Sequence, residues 1–155
     1  MKRLSTIITA ALAALLCSSC GEFIEEDNAL CKYPWQLDSV GTYIFNFEKT
    51  DFRAYEPECE MIDFSHIGFW TFSSESRGDF ENGTWESEVI PSAGRSFKMT
   101  LTSANPGIFI EEGHSGEQYD TRISEDGRQM EISHRHIDST TFSIYYFSQV
   151  VKDSE

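Results

Sequence analysis

The sequence predicts an all-β domain, a small antiparallel up-and-down barrel of about eight strands, with a β-sandwich as the alternative. Short segments in which apolar and polar residues alternate with a period of two recur from Trp35 onward. Clusters of turn-forming residues separate them, and no segment has a capped helical period of convincing length. Aromatic residues make up 14% of the chain, and they suit the half-buried surface of a sheet.

The predicted strands follow one another at short intervals. In chain order they are Thr42–Phe47, His66–Phe72, Thr84–Ile90, Ser96–Thr102, Ile108–Ile110, Gln118–Ile123, Gln129–His134 and Thr140–Val151. Tyr43, Phe45 and Phe47 share one face of the first strand, and the second is apolar or small at almost every position, which indicates burial on both faces.

The remaining segments alternate or carry a turn signal. Thr84–Ile90 and Ser96–Thr102 alternate regularly, which indicates one buried and one exposed face. Gln118–Ile123 places Tyr119, Thr121 and Ile123 on one side, and Asp126-Gly127 then predicts a two-residue hairpin turn before Gln129–His134. We favour the barrel over the sandwich because closure removes the exposed strand edges.

The first nineteen residues have the layout of an export signal. Lys2 and Arg3 precede an apolar stretch, Ile7–Leu16, which is too short to span a bilayer, and small residues follow it. The residues before Cys20 resemble the lipobox of bacterial lipoproteins, although Cys17 stands where a leucine is usual. The alternative is an ordinary secretory signal cut near Ser19.

The lipobox resemblance implies a division of the chain into three parts. Residues 1–19 would be the signal peptide, 20–30 the lipidated Cys20 and an acidic tether, and 31–155 the barrel domain. The acyl chains would then hold the protein to a membrane. The tether's acidic residues resemble the surface-export signal of Bacteroidota lipoproteins, and a plain solvated spacer is the alternative.

Charge and cysteine content restrict the partners. Without the leader, 10 basic side chains face 26 acidic ones, so nucleic acid is not an expected partner. In an oxidising compartment Cys31 and Cys59 can pair as a disulfide, and two free thiols are the alternative.

Two histidines are the candidate metal ligands. His134 and His136 are two apart on a predicted strand, so both imidazoles would point the same way, toward one metal ion or haem iron. Their parity is that of Ile132, on the presumed interior face and near a barrel rim. His66 could add a third nitrogen if its strand is adjacent, and His114 lies in a predicted turn. The alternative is that these histidines bind nothing, since no recognisable metal spacing completes the set.

Aromatic side chains could line a ligand cavity. The candidate ligand-binding residues are Tyr43, Trp70, Trp85, Tyr119 and Tyr145, with Tyr146 beside them. As an alternative they fill the barrel. We find no nucleophile–base spacing, phosphate-binding glycine loop or metalloprotease motif, and most carboxylates fall at outward positions or in turns. We therefore expect no enzyme activity and no cofactor.

The order of aromatic motifs is similar to that of the lipocalin-like domain of Bacteroidota lipoproteins. The resemblance is carried by Trp35, Tyr43–Phe47, Phe69–Phe72, Gly83-Thr84-Trp85, Phe97–Leu101, Tyr119–Ile123, Met130–Ile132 and Tyr145–Phe147. True lipocalins carry Gly-x-Trp at their first strand, whereas it lies in mid-chain here. The resemblance implies a lipocalin-like barrel at the outer membrane that binds a small apolar or amphipathic ligand. A protein-interaction module without a ligand is the rival function.

Overall fold

A computed structural model describes residues 28–89, 91, 94–135 and 140–151. Within these ranges the chain forms nine strands. They are β1 Trp35–Ile44, β2 Lys49–Ala54, β3 Glu60–Phe64, β4 Phe69–Ser74, β5 Asp79–Ser87, β6 Ser96–Ser103, β7 Glu117–Ile123, β8 Gln129–Arg135 and β9 Thr141–Gln149. None of the described residues forms a helix of the length and apolarity needed to cross a bilayer.

Eight of the strands close into an antiparallel barrel. Each strand from β3 to β9 pairs with the next, and β1 closes the ring by pairing with β9 from Trp35↔Gln149 to Ile44↔Thr141 and with β3 through Trp35 and Gln36. The predicted all-β, lipocalin-like barrel is confirmed. The ninth strand, β2, pairs with the second half of β1 and lies outside the ring, with all six of its side chains exposed.

Side chains fill the barrel interior. Trp35, Ile62, Leu101 and Ile132 are fully buried. The rest of the core consists of Leu30, Leu37, Phe64, Trp70, Phe72, Phe97, Met99, Phe109, Ile110, Tyr119, Ile123, Met130 and Phe147. An eight-stranded barrel is just wide enough for inward side chains to meet across the axis, and large buried side chains occupy it here.

The two ends of the barrel are closed differently. At the base end, residues 28–34 cross the opening, with Leu30 buried and its carbonyl accepting a 2.9 Å hydrogen bond from Trp35 Nε1. The β7–β8 turn is also at the base. It is a four-residue loop between Ser124 and Gln129, with Gly127 at a φ of 69°, and so is longer than the predicted two-residue turn. The mouth end carries the β1–β2 hairpin, the 75–78 turn and a long connection, residues 104–116, between β6 and β7.

Several predicted strand bounds were wrong. Phe45 and Phe47 lie in the exposed β1–β2 turn, and β4 begins at Phe69 and alternates exposed and buried side chains, so it is not buried on both faces. Ile108–Ile110 is a loop, although its side chains are largely buried. The strands β2 and β3 were not predicted, because β2 shows no inside–outside alternation and β3 is only five residues long.

Candidate functional site

The 104–116 connection, which we call the plug loop, folds into the mouth of the barrel. It buries Phe109 and Ile110, and the Phe109 ring stacks on Phe72 at 5.0 Å between centroids. Glu81, an inward-facing and fully buried residue of β5, holds the loop. Its Oε2 accepts hydrogen bonds from the backbone N–H groups of residues 108, 109 and 110 at 3.0, 2.6 and 3.3 Å. One carboxylate thus satisfies three donors that a buried loop would otherwise leave unpaired.

A pocket of about 290 Å³ lies beside the plug loop. Its apolar wall includes Leu37, Val40 and Phe72 from the barrel and residues 107–110 from the plug loop. Its polar side is lined by two arginines and two glutamates, Arg53, Arg77, Glu60 and Glu111. The volume is near the lower limit of the ~300–1,000 Å³ typical of small-molecule sites. A larger hollow of about 480 Å³ lies outside β5 and β6 and is lined mostly by polar side chains, so it lacks an apolar wall of this kind.

Contacts with neighbouring residues fix the polar side chains that line the pocket. The guanidinium carbon of Arg53 lies 4.8 Å from the centroid of the Tyr55 ring, and Arg77 Nη1 donates to the Gly107 carbonyl at 3.3 Å. Glu60 is buried and accepts hydrogen bonds from the hydroxyls of Ser74 and Ser76, which satisfy its carboxylate. The polar end of the pocket therefore combines the donors and positive charge of Arg53 and Arg77 with the carboxylates of Glu60 and Glu111.

Two histidines and a glutamate meet at the same end of the barrel. We call His114, Glu117 and His134 the histidine cluster. Glu117 Oε1 accepts from His114 Nδ1 at 3.1 Å, and its Oε2 accepts from His134 Nε2 at 3.0 Å, because an ionised carboxylate can only accept. One nitrogen or oxygen from each residue lies within 4.8 Å of the others. The three side chains thus converge closely enough to share one ion.

Strand parity explains two of the three positions. Glu117 begins β7 on the inward face that it shares with Tyr119, and His134 lies near the end of β8 on the inward face that it shares with Ile132. His134 is buried, with its ring 5.0 Å from that of Tyr119. His114 comes from the plug loop, and its ring packs edge-on against His134 at 5.4 Å.

The electrostatics of the cluster favour an ionised Glu117. Burial is the largest single influence and by itself would raise the pKa of Glu117, but the hydrogen bonds and charges of His134 and His114 together outweigh it and lower the pKa. Tyr119 lies nearby, and burial followed by the charge of Glu117 raises the pKa of its hydroxyl, so this phenol stays neutral.

The predicted ligand-binding aromatics do not form one site. Trp70 and Tyr119 belong to the packed core, and Trp85 is half-buried at the base end, where its Nε1 donates to the Ser65 carbonyl at 3.0 Å. The Tyr43 hydroxyl lies 2.9 Å from that of Tyr146. Of the predicted set, Tyr145 alone lines the mouth pocket, where burial and then the charge of Glu111 raise its pKa to about 12.

The predicted histidine geometry was right in part. His134 is inward-facing and at the barrel rim, as its parity indicated, whereas His136 lies outside the described residues. His66 is exposed in the turn between β3 and β4 at the base end, so it cannot join His134. His114, which was expected in a turn, is the histidine that approaches His134, and the carboxylate between them, Glu117, was not predicted.

The structure has no disulfide between Cys31 and Cys59. Both are free thiols. Cys59 precedes β3 at the mouth end, while Cys31 belongs to the base segment and is close enough to Asp63, near the other end of β3, to feel its charge. Four residues of strand span about 13 Å, whereas a disulfide needs Cα atoms within about 7 Å. Cys20 lies outside the described residues.

Comparison of the chain with protein-family models, with curated proteins and with solved structures found no match.

Proposed function

We propose that this protein is a lipid-anchored, non-enzymatic protein of the cell envelope that binds a small amphipathic molecule at the mouth of its barrel. The observation that carries the proposal is the 290 Å³ pocket, which joins an apolar wall to a polar side at the end of a closed barrel. A ligand with an apolar body and a polar end would bury the former against Leu37, Val40 and Phe72 and turn the latter toward Arg53 and Arg77.

The pocket proposal is tested by replacing a residue of the pocket wall with a larger one that fills the pocket. Val40 is half-buried and borders the pocket, so Val40→Trp places a large ring in the space that a ligand would use. The matched control is Val89→Trp, because Val89 is 45% exposed and lies beyond the end of β5 at the base. A Cys20→Ala background removes the acyl chains, so that detergent does not compete.

Binding is measured with the fluorescent probe 8-anilinonaphthalene-1-sulfonate and by native mass spectrometry of the purified protein. We expect Val40→Trp to weaken probe binding at least tenfold and Val89→Trp to leave it unchanged. Near-ultraviolet circular dichroism of each variant checks that packing is intact, since the probe also binds loosely packed states. Equal affinity in the two correctly folded variants would refute the pocket.

The anchor is tested separately from the pocket. We expect the wild-type chain to partition into the detergent phase of Triton X-114 and to incorporate labelled palmitate when produced in bacteria, and Cys20→Ala to lose both properties. Detergent partition by Cys20→Ala equal to that of the wild-type chain would contradict lipidation at this residue.

A second candidate function is protein interaction through the β1–β2 hairpin. Phe45, Phe47 and Phe52 are 58%, 74% and 51% exposed, and β2 has one strand neighbour, β1. An edge strand with exposed aromatics is suited to a protein partner. A photoreactive residue at position 47 should crosslink to a discrete envelope protein, whereas one at the 80% exposed Ile67 should not. Identical crosslinking patterns at both positions would reject this function.

A further inference from the structure

The histidine cluster combines donor types that suit a transition metal. Two imidazole nitrogens and one carboxylate oxygen form the His₂Glu set found in three-ligand zinc sites. The same three residues lie on three segments, the plug loop, the start of β7 and the end of β8, so a bound ion would join the loop to two strands of the barrel.

The donor atoms lie within reach of a single tetrahedral ion. With Zn–N and Zn–O bonds of about 2.0–2.1 Å, neighbouring ligand atoms in a tetrahedron lie about 3.3 Å apart. Glu117 Oε2 lies 3.0 Å from His134 Nε2, its Oε1 lies 3.1 Å from His114 Nδ1, and one donor atom from each residue lies within 4.8 Å of the others. Binding of an ion would therefore draw the three donor atoms together by up to about 1.5 Å and would replace the hydrogen bonds between Glu117 and the two imidazoles.

A second carboxylate, that of Glu111, lies beside the other nitrogen of the His114 ring, where metal-bound histidines commonly have a hydrogen-bond acceptor. His114 faces Glu117 through Nδ1, while its Nε2 lies 3.9 Å from Glu111 Oε2. When one imidazole nitrogen binds a metal, the other commonly donates to a carboxylate, which fixes the tautomer and the orientation of the ring. His134, for its part, is held by burial and by the neighbouring Tyr119 ring.

We propose that His114, Glu117 and His134 bind a divalent transition metal, best matched by Zn²⁺, through three protein ligands with a fourth position left to water. None of the three proposed ligands lines the pocket of the proposed amphipathic ligand, so each proposal can fail without the other. The net charge of −14 of the whole chain favours cations in general, so the test must distinguish this site from the acidic surface.

The test is isothermal titration of the purified, EDTA-treated protein with Zn²⁺ alone, paired with the visible absorption spectrum of the Co²⁺ form. Cys59→Ser serves as the background, since this partly exposed thiol could also bind zinc. The variants are His114→Gln, Glu117→Gln and His134→Gln, and the control is His66→Gln, an exposed histidine at the base end.

We expect one Zn²⁺ per chain in the background protein and in the control, and a loss of affinity of at least tenfold in each of the three variants. The Co²⁺ spectrum should be that of a tetrahedral ion and should vanish in the same variants. His134→Gln changes a buried side chain and can lower stability, but His114 and Glu117 are partly exposed, so their variants suffice. Absence of one-to-one binding, or unchanged affinity in His114→Gln and Glu117→Gln, would overturn the proposal.

Discussion

Replacing Glu81 with leucine should release the plug loop at a measurable cost in stability. Of the three N–H groups that Glu81 Oε2 accepts from, those of Phe109 and Ile110 are buried. A buried donor left without an acceptor costs ~1–3 kcal/mol, so the two together cost ~2–6 kcal/mol. Removal of a buried carboxylate, whose Oε1 has no hydrogen-bond partner among the described residues, offsets part of this. We expect a net loss of about 3 kcal/mol for Glu81→Leu.

The loss is measured by urea unfolding followed by tryptophan fluorescence. Trp70 is a suitable reporter because its ring lies 6.1 Å from the Phe109 ring of the plug. A loss of about 3 kcal/mol corresponds to a fall of roughly 6–12 °C in melting temperature for a chain of this size. Hydrogen exchange should locate the effect, with the amides of residues 108–110 losing protection before those of the barrel strands.

Two further variants make the Glu81 prediction specific. Glu81→Gln retains an acceptor oxygen and loses the charge, so it should cost about 1 kcal/mol, less than leucine. Glu86→Leu changes an exposed carboxylate on the same strand and should stay within about 0.5 kcal/mol of the wild type. If Glu81→Leu is as stable as Glu86→Leu, with the loop amides equally protected, the carboxylate does not anchor the plug and the reasoning is wrong.

Three other predictions concern packing and ionisation. Gly83→Ala places a methyl group onto the Thr102 carbonyl of the neighbouring strand, so thermal unfolding should show a loss of about 3 kcal/mol or failure to fold. Burial, then a nearby carboxylate, raises the pKa of Cys31 to about 12. Its alkylation rate should therefore keep rising above pH 9, and its contribution to stability should decline as pH rises toward 12. Trp35→Phe removes the hydrogen bond to Leu30; limited proteolysis should cut residues 28–34 faster.

The barrel itself could be predicted because its strands obey a local rule. In β6 and β7 the buried and exposed side chains alternate as the sequence indicated, from Phe97 to Leu101 and from Tyr119 to Ile123. The rule fails for buried residues that lie in a loop. Ile108–Ile110 was predicted as a strand because it is apolar, yet its N–H groups are satisfied by a carboxylate 27 to 29 residues away. No local pattern records such a contact.

The candidate site could be predicted only in part. Parity placed His134 inside the barrel, but His114 reaches it through the conformation of a loop, which sequence spacing does not specify. A signal for the missing carboxylates did exist. Glu81 shares the inward parity of Trp85, and Glu117 that of Tyr119, so both are acidic residues at positions where the pattern calls for apolar ones. An inward carboxylate is costly unless paired, which makes such positions candidate sites.

The plug loop links the mouth pocket to the histidine cluster. Residues 107–111 form one wall of the pocket, Glu81 holds that wall from below, and His114 ties the following residues to β7 and β8. An ion bound by the cluster would add a second clamp to the same loop, so it would order the pocket wall before a ligand arrives. Because the loop would already be ordered by the ion, ligand binding would lose less conformational entropy, and the two sites would be positively coupled. Coupling between two binding sites is reciprocal. An amphipathic ligand that packs against the loop would therefore strengthen metal binding by the same factor.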